Sequence, residues 1–316
     1  MPESQNRILL SGASGLIGTA LAQAFTAHGM QTVRLSREKV SDPRQTVLYW
    51  DPSAERPVTD LSPLEGLQAA IHLSGANVSS HRWTNSYKQE IVSSRVETTL
   101  ALGRIFSQLR QPPESFLCAS ATGIYGNRGD DLLSERSPRG EGFLADTCAL
   151  WEQAASTAGE ATGRVLHLRF GVVLDQSGGA LAKMLPLFRA GLGGTFSFGR
   201  LPRHLWMSWI TLSDLVSALL FLLAPENRHL SGAFNFTAPE PATNADFTHA
   251  LARRLRRPAI LPAPAFALRL VLGPMADETL LASTRAIPEA LLTAGYRFQA
   301  PDLGTALRLV LPEGER

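Results

Sequence analysis

The sequence predicts an α/β fold, a doubly wound parallel sheet with a smaller C-terminal substrate lobe set against it. Three observations carry that expectation. Short Leu-rich or β-branched runs alternate with helix-period segments over the first two thirds of the chain, three glycines follow the first run, and the alternation breaks up after Asp175. With 316 residues the chain is long enough for one large domain or a domain and a half.

Taken in order, "RILLS" reads as the first strand and Leu16 to His28 as a helix; "QTVRLS", "TVLYW" and "AAIHLSG" follow as strands. A helix from Tyr87 to Leu109, the strand "SFLCASA", a helix from Leu144 to Ala158 and the strand "VLHLRFG" complete the alternation. Repeated βαβ units with right-handed crossovers make such a sheet parallel and doubly wound. After Asp175 come the glycine-rich stretch "GLGGTFSFGRLPRH", a helix from Ser213 to Leu223 and the Pro-rich "PAILPAPAFALRLVLGP". Residues 1–175 are therefore expected to form a nucleotide-binding domain whose sheet is completed by segments near 205–240. Residues 176–316 are expected to form the smaller, discontinuous lobe.

Composition excludes several classes of partner. Thirty basic and 28 acidic residues leave a formal charge of +2, which gives no electrostatic reason to expect nucleic acid or a membrane surface. The one basic knot, "ARRLRRP", reads as a solvated helix end before Pro258, where cations suit the helix dipole. Cys118 and Cys148 are the only cysteines, without a Cys-x-x-Cys, so neither a disulfide framework nor a metal site is expected. "MPESQN" leads straight into a strand with no charged-then-apolar leader, and the run Leu219–Ala224 is far short of a membrane span. A cytoplasmic protein is the expectation.

"LLSGASGLIG" places Gly12, Gly15 and Gly18 between a strand and a helix. Each glycine has a task in dinucleotide binding: a tight turn, close approach of the backbone to a pyrophosphate, and tight packing of helix on sheet. Gly12, Ser14, Gly15, Leu16, Ile17 and Gly18 are thus the expected cofactor-binding turn. The second strand ends "VRLSR", with no Asp or Glu before Arg37. A carboxylate there would grip the ribose of NAD, whereas Ser36 and Arg37 offer a hydroxyl and a planar fork suited to a 2′-phosphate. NADP(H) is the expected cofactor; the alternative is an Arg37 that only caps the strand.

The chain resembles the short-chain dehydrogenase/reductase superfamily, in its extended or atypical NAD(P)-dependent epimerase/dehydratase branch, and most closely the "epimerase family" group that carries its own C-terminal segment. The resemblance rests on "SGASGLIG", "YWDP", "HLSGANV", "RWTNSYKQEIVSSRVETT", "SATGIYG", "FLADTCALWE", "LRFGVVLDQSGGAL", "WMSWITLSDLV", "FNFTAPEPATNADF" and "PAFALRLVLGPMADE". It implies a Rossmann-like core with bound NADP(H), and it leaves a homodimer open. It further implies that Leu73, Ser74, Gly75 and Ala76 line the adenosine and pyrophosphate side. Asp51 either accepts from the adenine amine or is a turn residue before Pro52. Ser120 matches the superfamily's active-site Ser/Thr, with Thr122 as its near alternate.

The superfamily's general acid/base is a Tyr whose pKa a Lys four residues on pulls down. Here those places hold Leu144 and Cys148, which with Trp151 and Ala155 form one apolar stripe of a helix, while Asp146 points elsewhere. Cys148 is either a thiolate beside the nicotinamide or inert core. Tyr125 either approaches the Ser120 pocket from a loop or is an aromatic lid. Arg82 and Lys88, flanking Trp83, supply a cation to an anionic substrate or are solvated helix charges. Arg200 and Arg203 beside Trp206 and Trp209 recognise a phosphate or base, or pack a surface loop. The expected function is an NADP(H)-dependent oxidoreductase or epimerase-like enzyme on a small phosphorylated or nucleotide-linked metabolite. The alternative is a non-catalytic NADP(H)-binding sensor or scaffold.

Overall fold

The computed structural model describes residues 6–40, 46–197 and 204–312. Its centre is a seven-stranded sheet. The strands β1 (Arg7–Ser11), β2 (Gln31–Ser36), β3 (Thr46–Tyr49), β4 (Ala69–His72) and β5 (Ser115–Ala121) are joined by Val165–Phe170 and Gly232–Phe236. The spatial order is Gly232–Phe236, Val165–Phe170, β5, β4, β1, β2, β3, and every pairing is parallel. β1 and β4 are buried almost throughout, as continuous apolar runs covered on both faces must be. The strand at 232–236 is the late segment that returns to the sheet.

Helix α1 (Leu16–Ala27) buries Leu21 and Phe25 on one face and packs, with the helix Leu212–Leu223, over one side of the sheet. Helices α2 (Asn85–Phe106) and α3 (Phe143–Ala158) cover the other side through Leu102, Ile105, Trp151 and Ala155. α1 stops at Ala27, one residue earlier than its apolar spacing suggests, because His28 caps it and Gly29 turns at φ +69°. α2 starts earlier than expected, at Asn85, since the Thr84 hydroxyl accepts from the Tyr87 N–H at 3.2 Å.

The order of strands reverses at β1, whose neighbours β2 and β4 lead to opposite halves of the sheet. A crevice for a ligand opens beyond the carboxyl ends of the strands at such a switch point. Two later elements close on this edge. Val172–Leu174 pairs with Trp209–Thr211, and Arg285–Ala286 pairs with Leu132–Leu133. The short helix Met275–Glu278 sits at the start of α3, where Glu278 Oε2 accepts from the Leu144 N–H at 2.7 Å. The basic knot is less solvated than expected, because Arg254 Nε donates to the Leu311 carbonyl at 2.8 Å and so pins the helix Asn244–Leu255 to the C-terminal segment.

Candidate cofactor and active site

A cleft of about 760 Å³ lies over β1, β2 and β4 at the switch point, lined among others by Gly12, Ser14, Gly15, Ser36, Arg37 and the stretch Leu73, Ser74, Gly75, Ala76. Gly12 stands at φ +70°, and a Cβ there would lie 2.8 Å from the Leu73 carbonyl carbon. At Gly18 a Cβ would lie 2.2 Å from the Gly12 oxygen, so that glycine lets α1 press on its own entry turn. Gly15 differs: its Cβ would have only Gly12 O, at 3.5 Å, for company. The turn is packed shut on the protein side and open on the cleft side. Gly15 caps α1 without a side-chain hydrogen bond, and the first turn carries no acid. The N–H groups of Leu16 and Ile17, which open the helix, are left for an anion. Their side chains turn away, Leu16 against Gly178 and Ile17 against the core.

At the end of β2, Ser36 Oγ accepts from the Glu38 N–H at 3.1 Å, and Arg37 is exposed on the cleft wall. Arg34 lines the same wall, a second guanidinium that the reading of "VRLSR" passed over. Asp51 accepts from the Ser53 N–H at 2.9 Å and the Ser53 hydroxyl at 2.6 Å, which hold its carboxyl below the usual range. It forms an Asx turn at the rim, while Trp50 and Pro52 on either side line the cleft. The cleft's floor is fixed by groups the sequence did not announce. His72 is fully buried, with Nδ1 2.6 Å from Ser11 Oγ and Nε2 3.1 Å from Thr98 Oγ1, and burial with the nearby Arg95 charge pushes its pKa down to about 3. Ser94 Oγ accepts from the Ala76 N–H at 2.9 Å and ties the β4 loop to α2.

Across the sheet, Ser120, one residue before the end of β5, donates to Glu152 Oε1 at 2.7 Å. Glu152 receives Arg169 Nε and Nη2 at 2.8 and 2.9 Å, a bidentate pair almost shut off from water. Arg169 Nη1 then donates to the Tyr125 hydroxyl at 3.0 Å, which in turn donates to Asn235 Oδ1 at 2.7 Å. Burial raises the Glu152 pKa, but the hydrogen bonds and charge of Arg169 outweigh it and leave the carboxyl below its usual value. Burial pushes the Tyr125 phenol up. Tyr125 has no exposed surface, so its hydroxyl belongs to this network and does not reach the cleft. Cys148 is 5% exposed, and burial, reinforced by the Glu152 charge, pushes its thiol up to about 11. It stays a thiol at neutral pH. Asp146 pairs outward with Arg139 at 2.9 Å, away from this face.

Of the predicted substrate residues, Trp83 and Lys88 are brought together, with the Lys88 ammonium 5.6 Å over the Trp83 ring, whereas Trp206 is held apart from them. Trp83 is buried, its indole N–H donating to the Val78 carbonyl at 2.8 Å and its ring edge-on to Phe143 at 5.0 Å. Lys88 lies over the Phe143 ring at 4.9 Å, and Arg82 packs by Gly273 of the C-terminal segment. Trp206 lies elsewhere, stacked under Arg285 at 4.2 Å and donating to Asp130 at 2.7 Å. Arg200 and Arg203 fall outside the described residues. Sequence reasoning missed Glu152 and Arg169. Each had a signal: a carboxylate one turn past Cys148, and an arginine inside the mostly apolar strand "VLHLRF", which needs a buried partner. Among the described residues no cluster of His, Cys, Asp and Glu suits a metal ion, and no helix is long and apolar enough to cross a membrane.

A parallel sheet with a glycine turn at its switch point defines a dinucleotide-binding protein of the Rossmann-like class. The chain belongs to the NAD dependent epimerase/dehydratase family, which it matches over residues 8–161, and residues 263–310 match a domain of unknown function, DUF1731. It is 40% identical over 300 residues to the epimerase family protein ML0860 of Mycobacterium leprae, covering 95% of this chain and 94% of that one. It is 34% identical over 308 residues to the human epimerase family protein SDR39U1, covering 96% and 99%. The crystal structure of human SDR39U1 (isoform 2) with NADPH superposes with a TM-score of 0.85 at 33% identity, covering 96% of this chain and 98% of that one. The nucleoside-diphosphate sugar epimerase of Corynebacterium glutamicum has a TM-score of 0.75 at 31% identity over 98% of this chain and 59% of that one.

Proposed function

We propose that this protein binds NADP(H) and acts as an oxidoreductase or epimerase-like enzyme on a small phosphorylated or nucleotide-linked metabolite. The observation that carries the cofactor assignment is the glycine turn opening onto a cleft whose β2 wall presents Ser36 and Arg37. The residues fit the dinucleotide: the uncapped start of α1 takes the diphosphate, Ser36 and Arg37 take the 2′-phosphate, and Leu73 to Ala76 pass beneath. The human relative solved with NADPH supports the same choice. Bound, the cofactor supplies a hydride donor or acceptor.

The chain's own residues divide the rest. Ser120 commits its proton to Glu152, so toward a substrate hydroxyl it accepts rather than donates. Cys148, kept as a thiol beside it, is a proton donor and not a base. Tyr125 works behind them by holding Arg169 and Asn235. The second reading, a sensor or scaffold, is favoured by Leu144 and Cys148 standing where a Tyr and a Lys would drive proton transfer.

Calorimetric titration with NADPH and NADH tests the first step. NADPH should bind more tightly, and Arg37→Ala should remove about 1.5 to 3 kcal/mol of that preference, the range for a hydrogen bond to a charged group. An unchanged preference would remove Arg37 from the 2′-phosphate site. Hydride exchange between NADPH and a panel of phosphorylated and nucleotide-linked carbonyls, compared with Ser120→Ala, separates the enzyme from the sensor.

A further inference from the structure

Arg95, on α2 next to the cleft-lining Ser94, has no place in the functions assigned so far. Its side chain packs against the β4 loop, where a Cβ on Gly75 would be 3.1 Å from its Cζ and 3.3 Å from its Nη1. From the other side it stacks over the Trp151 ring of α3 at 5.0 Å. One donor, Nη1, goes to the Ile91 carbonyl at 2.9 Å, and among the described residues no carboxylate pairs with it. Its charge bears on the Cys148 sulfur, one helical turn from Trp151, and on His72. A half-buried guanidinium stacked on an aromatic face, with most of its donors uncommitted, is arranged to hold a ligand in a fixed plane.

We infer that the Arg95 guanidinium, reaching the β4 loop from α2, donates to the hydroxyls of the nicotinamide-side ribose of NADP(H). This rests on the proposed NADP(H) site. The placement follows from the order of elements. Gly12 abuts Leu73 and Ser74, so the β4 loop begins at the diphosphate turn. Ser36 and Arg37 lie to one side of that turn, on β2, and claim the adenosine half. Gly75, Arg95, Trp151 and Cys148 lie to the other side, toward β5 and α3, where the second half of a dinucleotide crosses a doubly wound sheet. A lysine at 148 would also have met Arg95 as a like charge. A cation from one helix excludes a cation from the other, which accounts for a neutral Cys148.

The test compares NADP+ with 2′,5′-ADP, which carries the same 2′-phosphoadenosine but no nicotinamide ribose. Arg95→Gln should weaken NADP+ binding about tenfold or more, the effect of a lost charged hydrogen bond, and leave 2′,5′-ADP binding unchanged. Arg95→Lys should recover part of the loss. Equal affinities of wild type and Arg95→Gln for NADP+, or an equal loss for both ligands in a folded variant, would overturn the assignment. Should Arg95→Gln fail to fold, phenylglyoxal labelling of the wild type decides the matter. NADP+ should shield Arg95 and 2′,5′-ADP should not, and equal labelling with both would overturn the assignment. A wild type that binds neither ligand would instead overturn the NADP(H) reading beneath it.

Discussion

At the scale of single residues, two buried groups set how stability responds to pH. His72 is neutral in the fold, with a pKa of about 3 against an ordinary 6.5. The unfolded chain therefore binds the extra proton first, and stability should fall as pH drops below 6.5, by at most about 1.4 kcal/mol per pH unit for one proton. Glu152 is held below its ordinary 4.5, so its contribution is whole above that value and lost as pH falls further. Urea unfolding between pH 7 and pH 4 should show the first decline, and His72→Gln should flatten it. Glu152→Gln at pH 7 should cost about 3 to 5 kcal/mol, because Arg169 would be left charged and buried without its partner. A loss below about 1 kcal/mol would show that water reaches the pair. Neither group was legible as a site residue. "HLSG" and "CALWE" show a histidine and a glutamate, but only the register of β4 against β1 and α2, and of α3 against Val165–Phe170, reveals what each one faces.

At the scale of elements, the glycine turn was the most legible part, because its three glycines answer to local sterics that spacing alone records. The structure now separates their tasks. Gly18→Ala should destabilise the fold, since its Cβ would fall 2.2 Å from backbone, whereas Gly15→Val should keep the fold and abolish NADPH binding. Thermal melts with and without NADPH check both. A melt for Gly15→Val that rises on adding NADPH as much as the wild type's would displace the cofactor from the turn. α3 was legible as a helix and as an apolar stripe, yet its polar side was hidden: Glu152 lies one turn beyond Cys148 and turns toward Ser120 and Arg169. The double variant Leu144→Tyr, Cys148→Lys asks whether only chemistry was lost at this helix. With Arg95 close to position 148, the new ammonium meets a like charge, so slow carbonyl reduction should appear more readily when Arg95→Gln is added.

At the scale of the whole molecule, the parallel sheet was expected from the alternation of segments. The contribution of the C-terminal segment to α3 was not, because a connection between Glu278 and Leu144 leaves no mark in either local pattern. Glu278→Ala should lower stability by about 1 kcal/mol, the usual cost of losing a helix cap, and should fray the first turn of α3. Hydrogen exchange at residues 143–147 would report it. Faster exchange confined to 275–279 would mean that α3 does not depend on this carboxylate. The same contact sets a schedule for synthesis. The ribosome releases α3 and six of the seven sheet strands well before residue 278, so α3 waits, uncapped, while about two fifths of the chain is made. A nascent chain arrested in that interval should expose the Phe143 and Leu144 end of α3 to chaperones and proteases. Completion of the last segment is then the event that caps α3 for the first time.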